Sequence, residues 1–121
     1  MHTILIVDDH PDIRQLIHLL LNRSYEVIEA DNGFTALEMT RRHRPKVVVL
    51  DVMMPGEIDG LQALKMIKAD PELKSTYVIM VTARGQADDL AFATKLGADA
   101  YFIKPFSPLA LVSHIQRVLP G

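Results

Sequence analysis

Five side chains stand where apolar runs stop. Ile4-Leu5-Ile6-Val7 ends at Asp8-Asp9, and Val47-Val48-Val49-Leu50 ends at Asp51. Val78-Ile79-Met80-Val81 ends at Thr82, and Tyr101-Phe102-Ile103 ends at Lys104-Pro105. Gathered in one place, three carboxylates would repel one another unless a cation neutralised them. Mg²⁺, or the similar Mn²⁺, takes oxygen ligands and keeps several waters, so two or three carboxylates suffice. A hydroxyl and a compact ammonium would complete a place for a phosphoryl group. Taken singly, each of these residues has an ordinary explanation: a turn and helix cap for Asp8-Asp9, a strand end for Asp51, a β-branched strand residue for Thr82, a solvated lysine for Lys104. Their common position at strand ends is what favours a site.

That position follows from the elements. Short Val- and Ile-rich runs read as buried parallel strands. Between them lie helical stripes: Asp12 to Arg23, with Ile13, Leu16, Ile17, Leu20 and Leu21 on one side; Phe34 to His43; Leu61 to Ala69; Gln86 to Leu96; and Pro108 to about Leu119. Glu26 to Ala30 alternates as a further strand. Pro11 suits the first helical turn, which makes His10 or Asp9 the cap. Gly97 suits a helix C-terminus. Five β-α repeats imply an α/β fold, a five-stranded parallel sheet, doubly wound, with helices on both faces. In the order 2-1-3-4-5, strands one and three are neighbours at the switch point, where ligands bind beyond the carboxyl ends of strands. Asp8, Asp9 and Asp51 would then converge. A cis Lys104–Pro105 bond, if present, would aim the ammonium into the same pocket.

Composition excludes other classes. One domain over residues 1–121 is expected, and 49% apolar residues suffice for a core. A formal net charge of −2 gives no footprint for nucleic acid. The absence of cysteine excludes disulfides and thiolate metal sites. No apolar stretch reaches the length of a membrane span and no leader pattern precedes the first strand, so a cytoplasmic domain is the expectation. His2, His10, His18, His43 and His114 show no metal-ligand spacing and read as solvated or capping residues. The run Arg41 to Lys46 reads as the solvated C-terminus of a helix, where the dipole favours cations.

The set Asp8-Asp9, Asp51, Met54-Pro55, Asp59-Gly60, Thr82-Ala83, Gly97-Ala98-Asp99, Tyr101 and Lys104-Pro105-Phe106 resembles the receiver domain of two-component response regulators. The resemblance covers essentially the whole chain. It implies that Asp51 accepts a phosphoryl group from a sensor histidine kinase or a phosphotransfer protein. It implies Mg²⁺ on Asp9 and Asp51, with Asp8 acting through water and the Met53 carbonyl as a further ligand. Lys104 would pair with the phosphoryl group, Thr82 would move to bond it, and Tyr101 would swing into the space vacated. The output would be a changed surface on the fourth helix, fifth strand and fifth helix, read by a downstream protein target or output domain. Met53 and Arg84, two residues past Asp51 and Thr82, would tune the rate of self-dephosphorylation.

Two departures from the family pattern stand out. Gly56-Glu57-Ile58 separates Pro55 from Asp59 where two residues are usual, which bears on the shape beside the metal. Ala100, Ala110 and His114 replace the charges through which transcription-factor relatives often dimerise. Two other classes fit these residues less well. A phosphohydrolase using an aspartate nucleophile needs a second acid two residues on, where Met53 stands. A nucleotide or flavin carrier needs a phosphate-cradling loop after strand one, whereas Asp8-Asp9-His10-Pro11 would repel phosphate without a cation.

Overall fold

The computed structural model describes residues 1–83 and 87–120. Strands β1 (Thr3–Val7), β2 (Glu26–Ala30), β3 (Val47–Asp51), β4 (Tyr77–Ala83) and β5 (Ala100–Lys104) alternate with helices α1 (Pro11–Leu21), α2 (Gly33–His43), α3 (Gly60–Ala69), α4 (Ala87–Lys95) and α5 (Pro108–Val118). All strand pairings are parallel, in the order β2-β1-β3-β4-β5. This is the doubly wound architecture that the alternation implies, in the flavodoxin-like strand order that goes with the family resemblance.

Successive side chains of a strand point to opposite faces, so each apolar run feeds two cores. Leu5, Val7, Val48, Leu50, Val78 and Met80 pack with residues of α2, α3 and α4. Ile4, Ile6, Val47, Val49, Ile79 and Val81 pack with residues of α1 and α5. The same alternation carries past the strand ends. Asp8 follows Ile4 and Ile6, Asp51 follows Val47 and Val49, and Lys104 follows Phe102, so all three fall on the α1/α5 side. Thr82 follows Val78 and Met80 onto the other side, as do Tyr101 and Ile103 on β5.

Two expectations need correction. β5 is an edge strand rather than a fully buried one: Tyr101 and Ile103 are exposed, and among the described residues no further strand lies beyond it. The stripe on α1 is only partly buried, with Ile17 and Leu21 in the core and Leu16 and Leu20 reaching solvent. Helix α4 is described from Ala87, and its expected start near Gln86 lies outside the described residues.

Helix ends follow local chemistry. His10 caps α1 through its backbone with Pro11 at the first position, and its side chain makes no cap bond. Asn32 accepts from the Thr35 N–H, and Asp59 and Gln62 form a reciprocal capping box. Arg44 ends α2 in the left-handed region at φ 47°, within the basic run, and Gly97 follows α4 at φ 102°.

Candidate functional site

The register brings the strand-end residues level. Val7 pairs with Leu50, so Asp8 and Asp51 follow side by side; Asp51 pairs with Val81, and Ala83 with Lys104. Asp8 and Asp51 are each only 4% exposed. Lys104 reaches both: its Nζ donates to Asp51 Oδ2 at 2.9 Å and lies 3.2 Å from Asp8 Oδ2. The Lys104–Pro105 peptide bond is cis. The second oxygen of Asp51 accepts from the Met53 backbone N–H at 3.2 Å.

Asp8 is held by more than Lys104. Its Oδ1 accepts from the His10 backbone N–H at 2.8 Å, and its carbonyl accepts from Arg14 Nη1 at 2.6 Å. Arg14 is itself tied through Nε to Glu29 on β2, and His18 Nδ1 lies 2.8 Å from the other oxygen of Glu29. The loop after β1 is therefore braced from α1 and β2 before any ligand arrives.

The loop after β3 is pinned by two close backbone approaches. A Cβ on Gly60 would stand 2.0 Å from the Asp51 carbonyl oxygen, and one on Gly33 would stand 2.2 Å from the Ile58 carbonyl oxygen. Only glycine permits either contact. Between these anchors, Pro55, Gly56 and Glu57 are exposed and Gly56 turns the chain at φ 100°. The longer spacing is thus taken up at the solvent edge. It borders an open cleft of 530 Å³ that Asp9, Met53 and Asp59 also line.

The electrostatics are unbalanced. Burial pushes the Asp51 carboxyl above its ordinary range, and the Asp8 charge adds to that, while the bond from Lys104 opposes it. Burial alone would push the Lys104 ammonium down, but the facing carboxylates of Asp51 and Asp8 prevail and hold it up, hence charged. Among the described residues, one ammonium serves the two buried carboxylates, and the exposed Asp9 adds a third carboxylate beside them. Asp8, Asp9, His10 and Asp51 each offer a ligand atom, all within 4.8 Å of one another. Such a donor set fits a hard divalent cation bound mainly through oxygen.

Among the expected site residues, Asp8, Asp9, Asp51 and Lys104 come together. Thr82 is buried near the end of β4, and among the described residues its hydroxyl reaches the Ala83 carbonyl, at 3.5 Å, and none of the site side chains. Tyr101 is 53% exposed and the Met53 side chain is also exposed. Arg84 lies outside the described residues. His10 is the residue that sequence reasoning missed. Its Nδ1 lies 2.9 Å from Asp8 Oδ1 and 3.0 Å from Asp9 Oδ1, inside the acidic group rather than simply solvated. Its adjacency to Asp8-Asp9 was the available signal. His114 is not a solvated residue either: its Nε2 lies 2.9 Å from the Tyr77 hydroxyl and its ring packs edge-on against Phe102.

A parallel five-stranded sheet carrying an acidic cluster and a lysine at its carboxyl edge defines a class that the comparisons identify. The family model for the response regulator receiver domain matches residues 4–116, and the chain belongs to that family. It is a receiver domain of the two-component response regulators. It is 39% identical to the transcriptional regulatory protein SrrA of Staphylococcus aureus over 117 residues, covering 96% of this chain and 47% of that protein. The chain thus spans about half the length of such curated relatives. Among solved structures it is similar to the chemotaxis protein CheY4 of Vibrio cholerae, with 32% identity, a TM-score of 0.87, and 98% and 99% of the two chains covered. It is also similar to the receiver domain of a signal transduction histidine kinase from Syntrophus aciditrophicus, with 33% identity, a TM-score of 0.86, and 100% and 92% covered. No helix among the described residues is long and apolar enough to cross a membrane.

Proposed function

We propose that residues 1–121 act as one phosphoacceptor unit, in which Asp51 takes a phosphoryl group from the phosphohistidine of a sensor kinase or phosphotransfer protein. The observation that carries this is the shared ion pair of Lys104 with Asp8 and Asp51, at the edge of a three-carboxylate cluster. Asp9 and Asp51 would hold Mg²⁺ (or Mn²⁺), with the Met53 carbonyl as a further ligand and Asp8 acting through water. The cation supplies charge neutralisation for in-line phosphoryl transfer. The chain's own part is positioning. Met53 N–H and Lys104 orient the Asp51 carboxylate, and Lys104 stays charged to meet phosphoryl oxygens. In the transfer, an Asp51 oxygen forms a bond to phosphorus as the bond to the donor histidine nitrogen breaks. The electron pair leaves with the imidazole, which takes up a proton.

The switch we propose is Thr82 with Tyr101. Strand alternation puts both on the α4 side of the sheet, and Tyr101 pairs with Met80, two residues before Thr82. Phosphoryl charge at Asp51 would draw the Thr82 hydroxyl, and the exposed ring of Tyr101 would move inward. A ligand shifts such an equilibrium only through its different contacts with the two states. The surface of α4, β5 and α5 would then be read by a downstream protein or output domain. Self-dephosphorylation would be slow, because neither Met53 nor Arg84 can act as a general base at neutral pH. Nothing in this scheme requires turnover of an external substrate.

Beryllofluoride or acetyl phosphate with Mg²⁺ tests the reading. The wild type should be modified and Asp51→Asn should not. Thr82→Ala should accept phosphate but lose the amide shifts on β5. Met53→Asn with Arg84→Glu should shorten the lifetime of the phosphorylated form. Equal labelling of Asp51→Asn would refute the assignment of the acceptor.

A further inference from the structure

We propose that His10 is a ligand of the bound cation and tilts the site away from strict Mg²⁺ preference, toward divalent cations that accept imidazole nitrogen. The proposal rests on the reading that Asp9 and Asp51 hold a cation.

The geometry is close to that of a coordination sphere. Adjacent ligand atoms of an octahedral ion with bonds of about 2.1 Å lie about 3.0 Å apart, and opposite ones about 4.2 Å apart. His10 Nδ1 already stands 2.9 Å and 3.0 Å from oxygens of Asp8 and Asp9. The four ligand atoms of Asp8, Asp9, His10 and Asp51 all fall within 4.8 Å of one another. With Asp8 acting through water, the atoms of Asp9, His10 and Asp51 would enclose an ion after a contraction of at most about 0.6 Å.

The ring has no competing structural duty on its helix. His10 is the N-cap of α1, yet its side chain makes no cap bond. Its backbone is extended at φ −96°, ψ 108°, as Pro11 requires of the residue before it, and its N–H is tied to Asp8. The backbone thus holds the ring on the carboxylate side, while 62% exposure of the side chain leaves it free to turn. Asp8 divides its two oxygens between Lys104 and His10, so the imidazole and the ammonium flank the cluster from opposite oxygens. Carboxylates and water suit Mg²⁺, whereas a neutral imidazole adds more for Ni²⁺, Co²⁺ or Zn²⁺.

The test uses the chain stripped with EDTA and titrated separately with Mg²⁺ and Ni²⁺, as wild type and as His10→Gln. Glutamine keeps an exposed polar side chain with N–H donors but has no imidazole nitrogen. Ni²⁺ affinity should fall about tenfold or more in the variant, with Mg²⁺ affinity changed less than about twofold. Pulsed electron paramagnetic resonance of the Mn²⁺-loaded wild type should show coupling to a directly bound nitrogen, absent from His10→Gln. An unchanged Ni²⁺-to-Mg²⁺ affinity ratio, or no nitrogen coupling in the wild type, overturns the proposal. Mg²⁺ that binds the wild type normally while the ratio stays unchanged refutes the role of His10 alone. Failure of Mg²⁺ to bind the wild type refutes the cation reading beneath it as well.

Discussion

Replacing Lys104 by methionine keeps the length of the side chain and removes its charge. Asp8 and Asp51, each nearly buried, then face each other without the ammonium now at 2.9 Å and 3.2 Å. Removing one partner of a buried pair costs about 3–5 kcal/mol when the charge left behind has no escape. Here it has one, since the cluster can bind a proton. Protonating a carboxylate of ordinary pKa near 3.9 costs about 1.36 kcal/mol per pH unit, so roughly 4 kcal/mol at pH 7 and roughly 1.5 kcal/mol at pH 5. Those figures bound the electrostatic loss. The sign follows: burial already raises the Asp51 carboxyl in the fold, and losing the ammonium raises it further. The folded variant then binds more protons than the unfolded chain, and its stability falls as pH rises. We expect Lys104→Met to lose about 2–4 kcal/mol at pH 7 in EDTA and at most about 1.5 kcal/mol at pH 5. Added Mg²⁺ should narrow the gap. The chain has no tryptophan, so urea unfolding is followed by far-ultraviolet circular dichroism. A deficit independent of pH, or none at pH 7, would show that Lys104 is not the balancing charge.

Three further outcomes are expected. Gly60→Ala should destabilise by about 1–3 kcal/mol and shift the Asp51 and Met53 amide resonances, because its Cβ would drive into the Asp51 carbonyl; unmoved resonances would contradict that contact. Burial, aided by the Arg117 charge, holds the His114 ring below its ordinary pKa, so the stability it confers is present above about pH 6.5 and lost as pH falls. Wild-type stability measured against His114→Phe should therefore decline from pH 7.5 to 5, and a flat difference would refute this. Lys68 Nζ donates to Thr76 O at 2.7 Å, to Lys74 O at 3.1 Å and to Asp99 Oδ2 at 2.8 Å, joining α3 to the segments that lead into β4 and β5. Lys68→Met should cost about 1–3 kcal/mol in denaturant unfolding, and a loss below about 0.5 kcal/mol would show those bonds to be exchanged freely for water.

The architecture was legible from local pattern. Apolar runs of four, helical stripes, and glycine or proline at the joints are short-range signals, and parallel strands with crossovers leave few ways to assemble them. Placing Asp8, Asp51 and Lys104 at one edge needed the strand ends together with the strand order, and that order came with the family resemblance rather than from the pattern. Which oxygen each group touches is a matter of register and of approach between elements distant in the chain. Sequence spacing does not carry that information. Hence Lys104 proved to be shared by two carboxylates, and His10 entered the acidic group on the extended backbone that Pro11 imposes. His114 found Tyr77 across 37 residues. The exposure of Tyr101 likewise depends on β5 being the edge strand of the sheet among the described residues. Residue types and periods thus determined what chemistry the chain carries. Tertiary packing decided how the charges are partnered, because hydrogen bonds and Coulomb forces act over a few ångströms of space, whatever the distance along the chain.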